Sequence, residues 1–411
     1  MPDASTLDSA GVTIHELPAE ALTRPAPLAL AATPSVRIGE VGGQPEYQWT
    51  RPVAGARLSD GGFAVLEQVP AEVRLFDAGG SFVRRIGRSG EGPGEFQRPS
   101  QLAVLEGDTV LVWDEGARRL SWFSPDGALL RDRTLRGFEG IRTIRRVRLA
   151  ESGTTTVLGT RSSIEDWGRE SEGRSRERWT IAILEGSEDP GRRLGEVAGT
   201  EQVVEVSRSE SGAVASVNVS GRWWWGEGFA WAHSDGVWTA DRLAPEARHF
   251  DFATGLDRIV RIAAEPRRFT SSLIDSLHRV ELDRVDDPEL RDLWREDFEG
   301  RDYPESVPHV SGVFAAADGS LWLGLAAPPP ERLAGGLRAI PRWLVVPRAS
   351  PDEGVVEPLS GDDAGVLQLP SRSHPLWADA VGLLLVRRSV EFDVPFVEWY
   401  PLVKPSGGQA R

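Results

Sequence analysis

The run Arg85-Ile86-Gly87-Arg88-Ser89-Gly90-Glu91-Gly92-Pro93-Gly94-Glu95-Phe96-Gln97-Arg98-Pro99 decides the fold, because a second copy lies upstream of it. Arg37-Ile38-Gly39 leads through Gln44-Pro45-Glu46-Tyr47-Gln48 to Arg51-Pro52, which sets a period of about 48 residues from one isoleucine to the next. The flanks repeat as well. Asp60-Gly61-Gly62-Phe63-Ala64-Val65 matches Gly107-Asp108-Thr109-Val110-Leu111-Val112, and Arg74-Leu75-Phe76-Asp77 matches Ser121-Trp122-Phe123-Ser124. A unit of about 40–50 residues built from four short strands is the signature of a propeller blade.

Each unit alternates β-branched and aromatic residues over four to eight positions and then turns. Asp60-Gly61, Ala78-Gly79-Gly80, Pro125-Asp126-Gly127, Asp235-Gly236 and Asp318-Gly319 are the turns, where glycine takes the positive φ of a tight hairpin. The first two blades read as 53–87 and 99–136. Blade three takes 141–195, blade four 229–262, blade five 310–359, and blade six contributes three C-terminal strands. Its fourth strand is expected from Ser35 to Gly39, just before blade one. The predicted fold is therefore all-β: a six-bladed propeller spanning 35–403 and closed by its N-terminal strand. Residues 1–34 form an N-terminal extension, 266–304 a helical insertion between blades four and five, and 404–411 a tail. Closure matters because it pairs strand edges that would otherwise be open to aggregation.

Gly90-Glu91-Gly92-Pro93-Gly94-Glu95-Phe96, followed by Arg119-Leu120-Ser121-Trp122-Phe123-Ser124-Pro125-Asp126-Gly127, resembles NHL-type repeats. The chain from Asp8 to Leu402 resembles a bacterial family of six-bladed β-propeller proteins. The resemblance implies an exported protein, periplasmic or at the cell surface, often of lipoprotein type, with any leader and lipid-carrying cysteine lying before Met1. It implies no reaction.

Composition narrows the function further. Asp plus Glu outnumber Lys plus Arg by 62 to 47, a net charge of −15, which disfavours nucleic acid as a partner. There is no cysteine, so thiol chemistry and disulfides are excluded. All but one of the basic residues are arginine, Lys404 being the exception, which points to coding bias and makes arginine abundance poor evidence on its own. No apolar run reaches the roughly 20 residues of a transmembrane helix. HExxH, GxSxG and GxxxxGK are absent. The six histidines show no short metal-ligand spacing, no metal site is expected, and no cofactor is indicated.

Four long segments interrupt the blades: 161–177, 200–226, 265–308 and 326–341. All fall on b-to-c or d-to-a connections, hence on one face of the disc, which favours function over drift on a tolerant surface. Within 265–308, Thr270 or Ser271 is positioned to cap one helix carrying Leu273, Ile274 and Leu277 on one side. Asp287-Pro288 starts a second, with Leu290, Leu293, Trp294 and Phe298 on one side. This pair is expected to lay its apolar stripe on the disc as a lid over the channel.

Counting back nine positions from the turn after strand a aligns Arg51, Arg98 and His309, and His374 falls within one position of the set. Four basic or imidazole groups at one channel mouth would suit a carboxylate or phosphate on a small ligand. The plainer reading is that arginine before proline salt-bridges neighbouring blades. Trp224, in Trp223-Trp224-Trp225, is a candidate stacking surface, set against inter-blade packing. The expectation is an exported, monomeric, non-catalytic binding module for a small anionic ligand or a protein partner. The alternative is a hydrolase or lyase acting on a small anionic substrate at the channel mouth.

Overall fold

The computed structural model describes residues 5–135, 141–161, 173–184, 191–209, 214–221, 225–265, 267–283, 285–299, 301, 303–327, 341–348, 359 and 361–405. Six antiparallel sheets follow one another along the chain. Sheet I comprises Pro52–Arg57, Phe63–Gln68, Ala71–Phe76 and Phe82–Ile86, here called strands a to d. Sheet II repeats the meander with Pro99–Leu105, Thr109–Asp114, Arg119–Phe123 and Leu129–Thr134. The remaining sheets start at Thr143 (III), Gly228 (IV), Val310 (V) and Ser373 (VI).

Full burial of both faces explains the near-continuous apolar reading of the inner strands. In sheet I, Phe63 and Val65 face one way into a core shared with sheet VI, while Ala64 and Leu66 face the other way into a core shared with sheet II. The same alternation recurs in sheet VI, where Leu383 and Leu385 pack on sheet V while Leu384 and Val386 pack toward sheet I. Six such cores lie between sheets I and II, II and III, III and IV, IV and V, V and VI, and VI and I. Fully burying a side chain such as Phe63 contributes about 1.5–3 kcal/mol, so these contacts supply most of the cohesion. Tryptophans belong mainly here: Trp49, Trp113, Trp122, Trp179, Trp238, Trp322 and Trp399 are all buried.

The sequence-based boundaries need three corrections. Strand d of sheet III runs Arg193–Arg208, well past Gly195, and Val214–Ser220 returns along it as a fifth strand, so much of 200–226 is hairpin rather than loop. Strand d of sheet V is Gly365–Gln368, beyond the expected end at Leu359, because it is Gly365 to Gln368 that pairs with Arg342 to Val345. The third concerns the helices, α1 (Ser271–Leu282) and α2 (Pro288–Glu299). Thr270 caps α1 through Leu273 N–H at 3.3 Å, and Asp287 accepts from Glu289 N–H at 2.8 Å. Of the stripe expected to face the disc, Leu277 and Phe298 are buried and Leu273 and Ile274 partly so, whereas Leu290, Leu293 and Trp294 are exposed. Phe298 stacks on His278 at 4.2 Å under the Arg301 guanidinium, and His278 reaches the Tyr303 hydroxyl at 2.9 Å, so the pair packs mainly on itself.

Residues 5–38 run along the outer edges of three sheets. Val12–Pro18 pairs in parallel with strand d of sheet IV, with Ser5–Ser9 outside it. Val366 of sheet V donates to Arg24 O at 2.7 Å, and Ala26 donates back to Val366 O at 3.0 Å. Ala29–Leu30 and Val36–Ile38 then pair with strand Pro395–Val403 of sheet VI. Covering these edges removes open templates for strand addition. Among the described residues strand d of sheets I and II has no further strand beside it, and it carries Arg84, Arg85, Arg131 and Arg133, the charged way of protecting an edge.

Candidate functional site

Strand a of all six sheets surrounds the axis. Residues from each, including Ala54, Leu102, Arg148, Trp231, Ala315 and Leu376, line an axial cavity of about 100 Å³. That is room for a few waters rather than a metabolite. At the end carrying the short a-to-b turns, Trp377 Nε1 of sheet VI donates to the Glu151 carboxylate after strand a of sheet III at 2.6 Å, from the far side of the axis. No helical residue lines the cavity among the described residues, so the expected lid does not contact it.

Five of the six innermost strands carry a register break, four of them at or near the first pairs. Such bulges re-aim side chains at a barrel or propeller rim. In sheet III the bulge falls between Ile144 and Arg146, within Arg142-Thr143-Ile144-Arg145-Arg146-Val147-Arg148. The result is a groove of about 470 Å³ between sheets II and III, on the b-to-c and d-to-a face, lined by Arg98, Arg118, Arg142, Arg145, Arg146 and Arg148. Glu115 is its only acidic lining residue among those described.

These arginines are held differently. Arg98 meets Glu115 at 3.0 Å in a well-exposed pair, worth little on its own. Arg145 forms a two-pronged pair with both oxygens of the buried Glu177, whose Oε2 also takes the Trp179 indole N–H at 2.7 Å. Arg146 reaches Glu227 at 3.3 Å. Arg148 meets no carboxylate among the described residues: Nε donates to Ala230 O at 2.6 Å and Nη1 to Val147 O at 3.0 Å. Desolvation and the neighbouring Arg146 charge lower its pKa to about 10, so it remains a cation at neutral pH.

Of the five residues expected at the site, Arg98 lines this groove and Arg51, His309 and His374 do not. Trp224 lies outside the described residues, whereas its neighbour Trp225 is buried. The aligned Arg-Pro positions have a structural role that sequence reading missed. Arg51 N–H donates to Glu67 at 2.7 Å and Thr50 N–H to the same carboxylate at 3.1 Å. One repeat on, Gln97 and Arg98 N–H donate to Asp114 at 2.6 and 3.0 Å. Both acids are fully buried at the end of strand b and clamp the connection into strand a. Burial pushes the Glu67 carboxyl up, against the pull of these N–H groups and of Arg74. His309 is partly buried with Nε2 unpaired among the described residues; burial and the Arg267 charge lower its pKa. His374 is exposed on strand a of sheet VI.

The glycine-rich run satisfies itself. Arg119 of strand c donates to Gly92 O and Glu95 O at 2.7 and 2.6 Å. Arg74 does the same for Glu46 O and Gln48 O in the preceding repeat. Gly90, at φ +159, leaves room only for the Glu95 carboxylate, 2.1 Å from where a Cβ would stand. This loop is a structural element and not a phosphate cradle.

A second polar cluster sits at the short-turn face. His249, fully buried where sheet I has Leu75, meets Asp257 through Nδ1 at 2.6 Å and Asp235 through Nε2 at 3.4 Å. Arg258 pairs with both acids. Burial alone would lower the His249 pKa, but the two carboxylates outweigh it and raise it. Burial likewise opposes ionisation of Asp235, yet His233 and His249 hold its carboxyl well below the ordinary range. His233, bonded to Asp235 at 2.8 Å, borders the axial cavity. Among the described residues no group of three or more His, Asp or Glu side chains is placed to hold a metal ion.

Residues 55–136, covering most of sheets I and II, match the family model DUF5128, described as a 6-bladed beta-propeller. The chain is similar to a solved protein of Bacteroides fragilis described as exported, at 10% identity over 96% of this chain and 100% of that one, with a TM-score of 0.48. It is also similar to a DUF4221 member from Bacteroides vulgatus (10% identity, 93% and 100% covered, TM-score 0.46). A Xanthomonas campestris gluconolactonase follows at 11% identity, 92% and 99% covered, TM-score 0.41. No curated protein matches the chain. Among the described residues, no helix is long and apolar enough to cross a membrane.

Proposed function

We propose that the protein is a non-catalytic binding module that takes its ligand on the long-connection face of a propeller ring sewn shut by Val36–Ile38. The observation that carries this reading is the contrast between the two ends of the axis. A cavity of about 100 Å³, crossed by the Trp377–Glu151 bond, offers a substrate little room. The groove of about 470 Å³ opens on the other face, within the size range of small-molecule sites. The positive lining on a chain of net charge −15 favours an anion. In this reading Arg98 contacts ligand and Arg51 serves the clamp through its main-chain N–H, while His309 and His374 contribute to the wider face. The protein works as a monomer outside the cytoplasm, which gel filtration and fractionation of the native host test.

A thermal-shift screen of small acids and their neutral analogues tests the binding reading. Acids should raise the melting temperature and be recovered unchanged; stabilisation by neutral compounds alone would defeat the anionic preference. The second reading, a hydrolase or lyase, draws on the His233–Asp235 pair beside the axial cavity, a geometry suited to proton transfer. Turnover of a hit that is lost in His233→Gln, with binding kept, would favour it.

A further inference from the structure

We propose that the groove between sheets II and III is a built anion site whose ligand carries two separated acid groups, carboxylate or phosphate. One group would meet Arg148 at the inner end, and the other Arg118 and Arg98 at the open rim. The inference rests on the binding reading above and adds the class of ligand.

Arg148 is the anchor because it lines both the groove and the axial cavity, where the two spaces meet. A guanidinium offers five N–H donors in a planar fork. Arg148 spends Nε and Nη1 on Ala230 O and Val147 O, and Nη2 has no acceptor among the described residues. A partly desolvated cation held only by carbonyls lacks the counter-charge that such groups normally have. An oxyanion on Nη2 would supply it in charge-assisted form.

The rest of the groove divides into wall and rim. Arg145 and Arg146 are fixed by Glu177 and Glu227, so they set shape and potential without needing to move. Arg118 is exposed with no side-chain partner among the described residues, and Arg98 is tied only to the exposed Glu115. An exposed pair of this kind opens at little cost. A mono-acid would satisfy one end alone; a ligand with two acid groups satisfies both. Coding bias does not explain the cluster. Bias substitutes arginine for lysine everywhere, whereas here six of thirteen lining residues are arginine, against 46 in the 411-residue chain.

Calorimetric titration of the full chain at low salt, with pyrophosphate and with citrate, tests the proposal and separates phosphate from carboxylate chemistry. Orthophosphate and acetate are the mono-acid controls. At least one two-acid probe should bind tenfold or more tighter than its control, and added salt should weaken it. Arg148→Met should cost tenfold or more in affinity while the melting temperature without ligand stays level or rises. Arg118→Ser, at an exposed position where folding is not at stake, should cost about two- to fivefold. Unchanged affinity in both variants would overturn the proposal. So would failure of both probes to bind: if a neutral or cationic compound still occupies the groove, the ligand class alone falls, and if nothing does, the binding reading falls with it.

Discussion

Sheets I and III present the same device with different contents. Both meander outward from a bulged innermost strand, and both are buried on two faces. Sheet I lines the axis with Val53, Ala54, Gly55 and Ala56, while sheet III brings Arg148 there. The entry to strand a differs too. In sheet I the Glu67 carboxylate clamps Thr50 and Arg51 N–H, as Asp114 clamps Gln97 and Arg98 N–H in sheet II; in sheet III a main-chain bond from Arg142 N–H to Thr160 O at 2.8 Å stands at the same entry. Regularity is thus enforced by buried acids in the first two sheets. Sheet III instead places four arginines between Arg142 and Arg148. Repetition builds the ring, and departure from it builds the groove.

Breaking the shared device should have the largest effect. Phe63→Ala in sheet I and Trp179→Ala in sheet III each empty an inter-sheet core and should cost about 3–5 kcal/mol by denaturant unfolding. A much smaller loss at Trp179 would mean that sheet III is packed by other rules. The clamp comes next. Glu67→Ala strands three main-chain donors, counting Val69 N–H at 3.0 Å, and should cost about 2–3 kcal/mol. Asp114→Ala strands three donors in sheet II, Gln97, Arg98 and Ala117 N–H, and should cost about as much. A loss under about 1 kcal/mol at either acid would mean that the clamp does not hold the entry to strand a.

Sheet IV is the intermediate case, with the sheet I sequence Arg-Leu-Phe-Asp rewritten as Arg248-His249-Phe250-Asp251. Because folding raises the His249 pKa, its contribution is complete below about pH 6.5, the unfolded value, and is lost as pH rises through the folded value. His249→Leu should therefore lose more stability at pH 6 than at pH 9, measured against wild type in the same buffers. An equal loss at both would mean that the imidazole acts only by shape. The smallest effect is expected at Arg51→Ala. That guanidinium has no partner among the described residues, so stability should stay within about 0.5 kcal/mol and anion affinity should not move.

The blade repeat was legible because it is written twice in clean copy, 48 residues apart, with turns that only glycine serves well. Sheets III and V were less so. Their outer strands carry insertions and weak alternation, so strand ends slid to Gly195 and Leu359. The site was legible only at Arg98. Alignment to the turns found positions whose main chain matters, since Arg51 and Arg98 are held by N–H groups that any residue but proline offers. The groove instead is lined by Arg142, Arg145, Arg146 and Arg148, on either side of a register break between Ile144 and Arg146. The signal available was four arginines in seven residues of an inner strand, a density that an ordinary propeller core does not tolerate. The Trp377–Glu151 bond joins residues 226 positions apart and left no trace in local pattern.

Hydrogen exchange of the full chain, with and without saturating pyrophosphate or citrate, tests the division of labour between the two ends of the axis most directly. Slower exchange confined to 97–118 and 141–149, with the turns around Glu151, His233 and Trp377 unaffected, is the predicted pattern. Protection centred on those short turns, or none in the arginine strand, would contradict it.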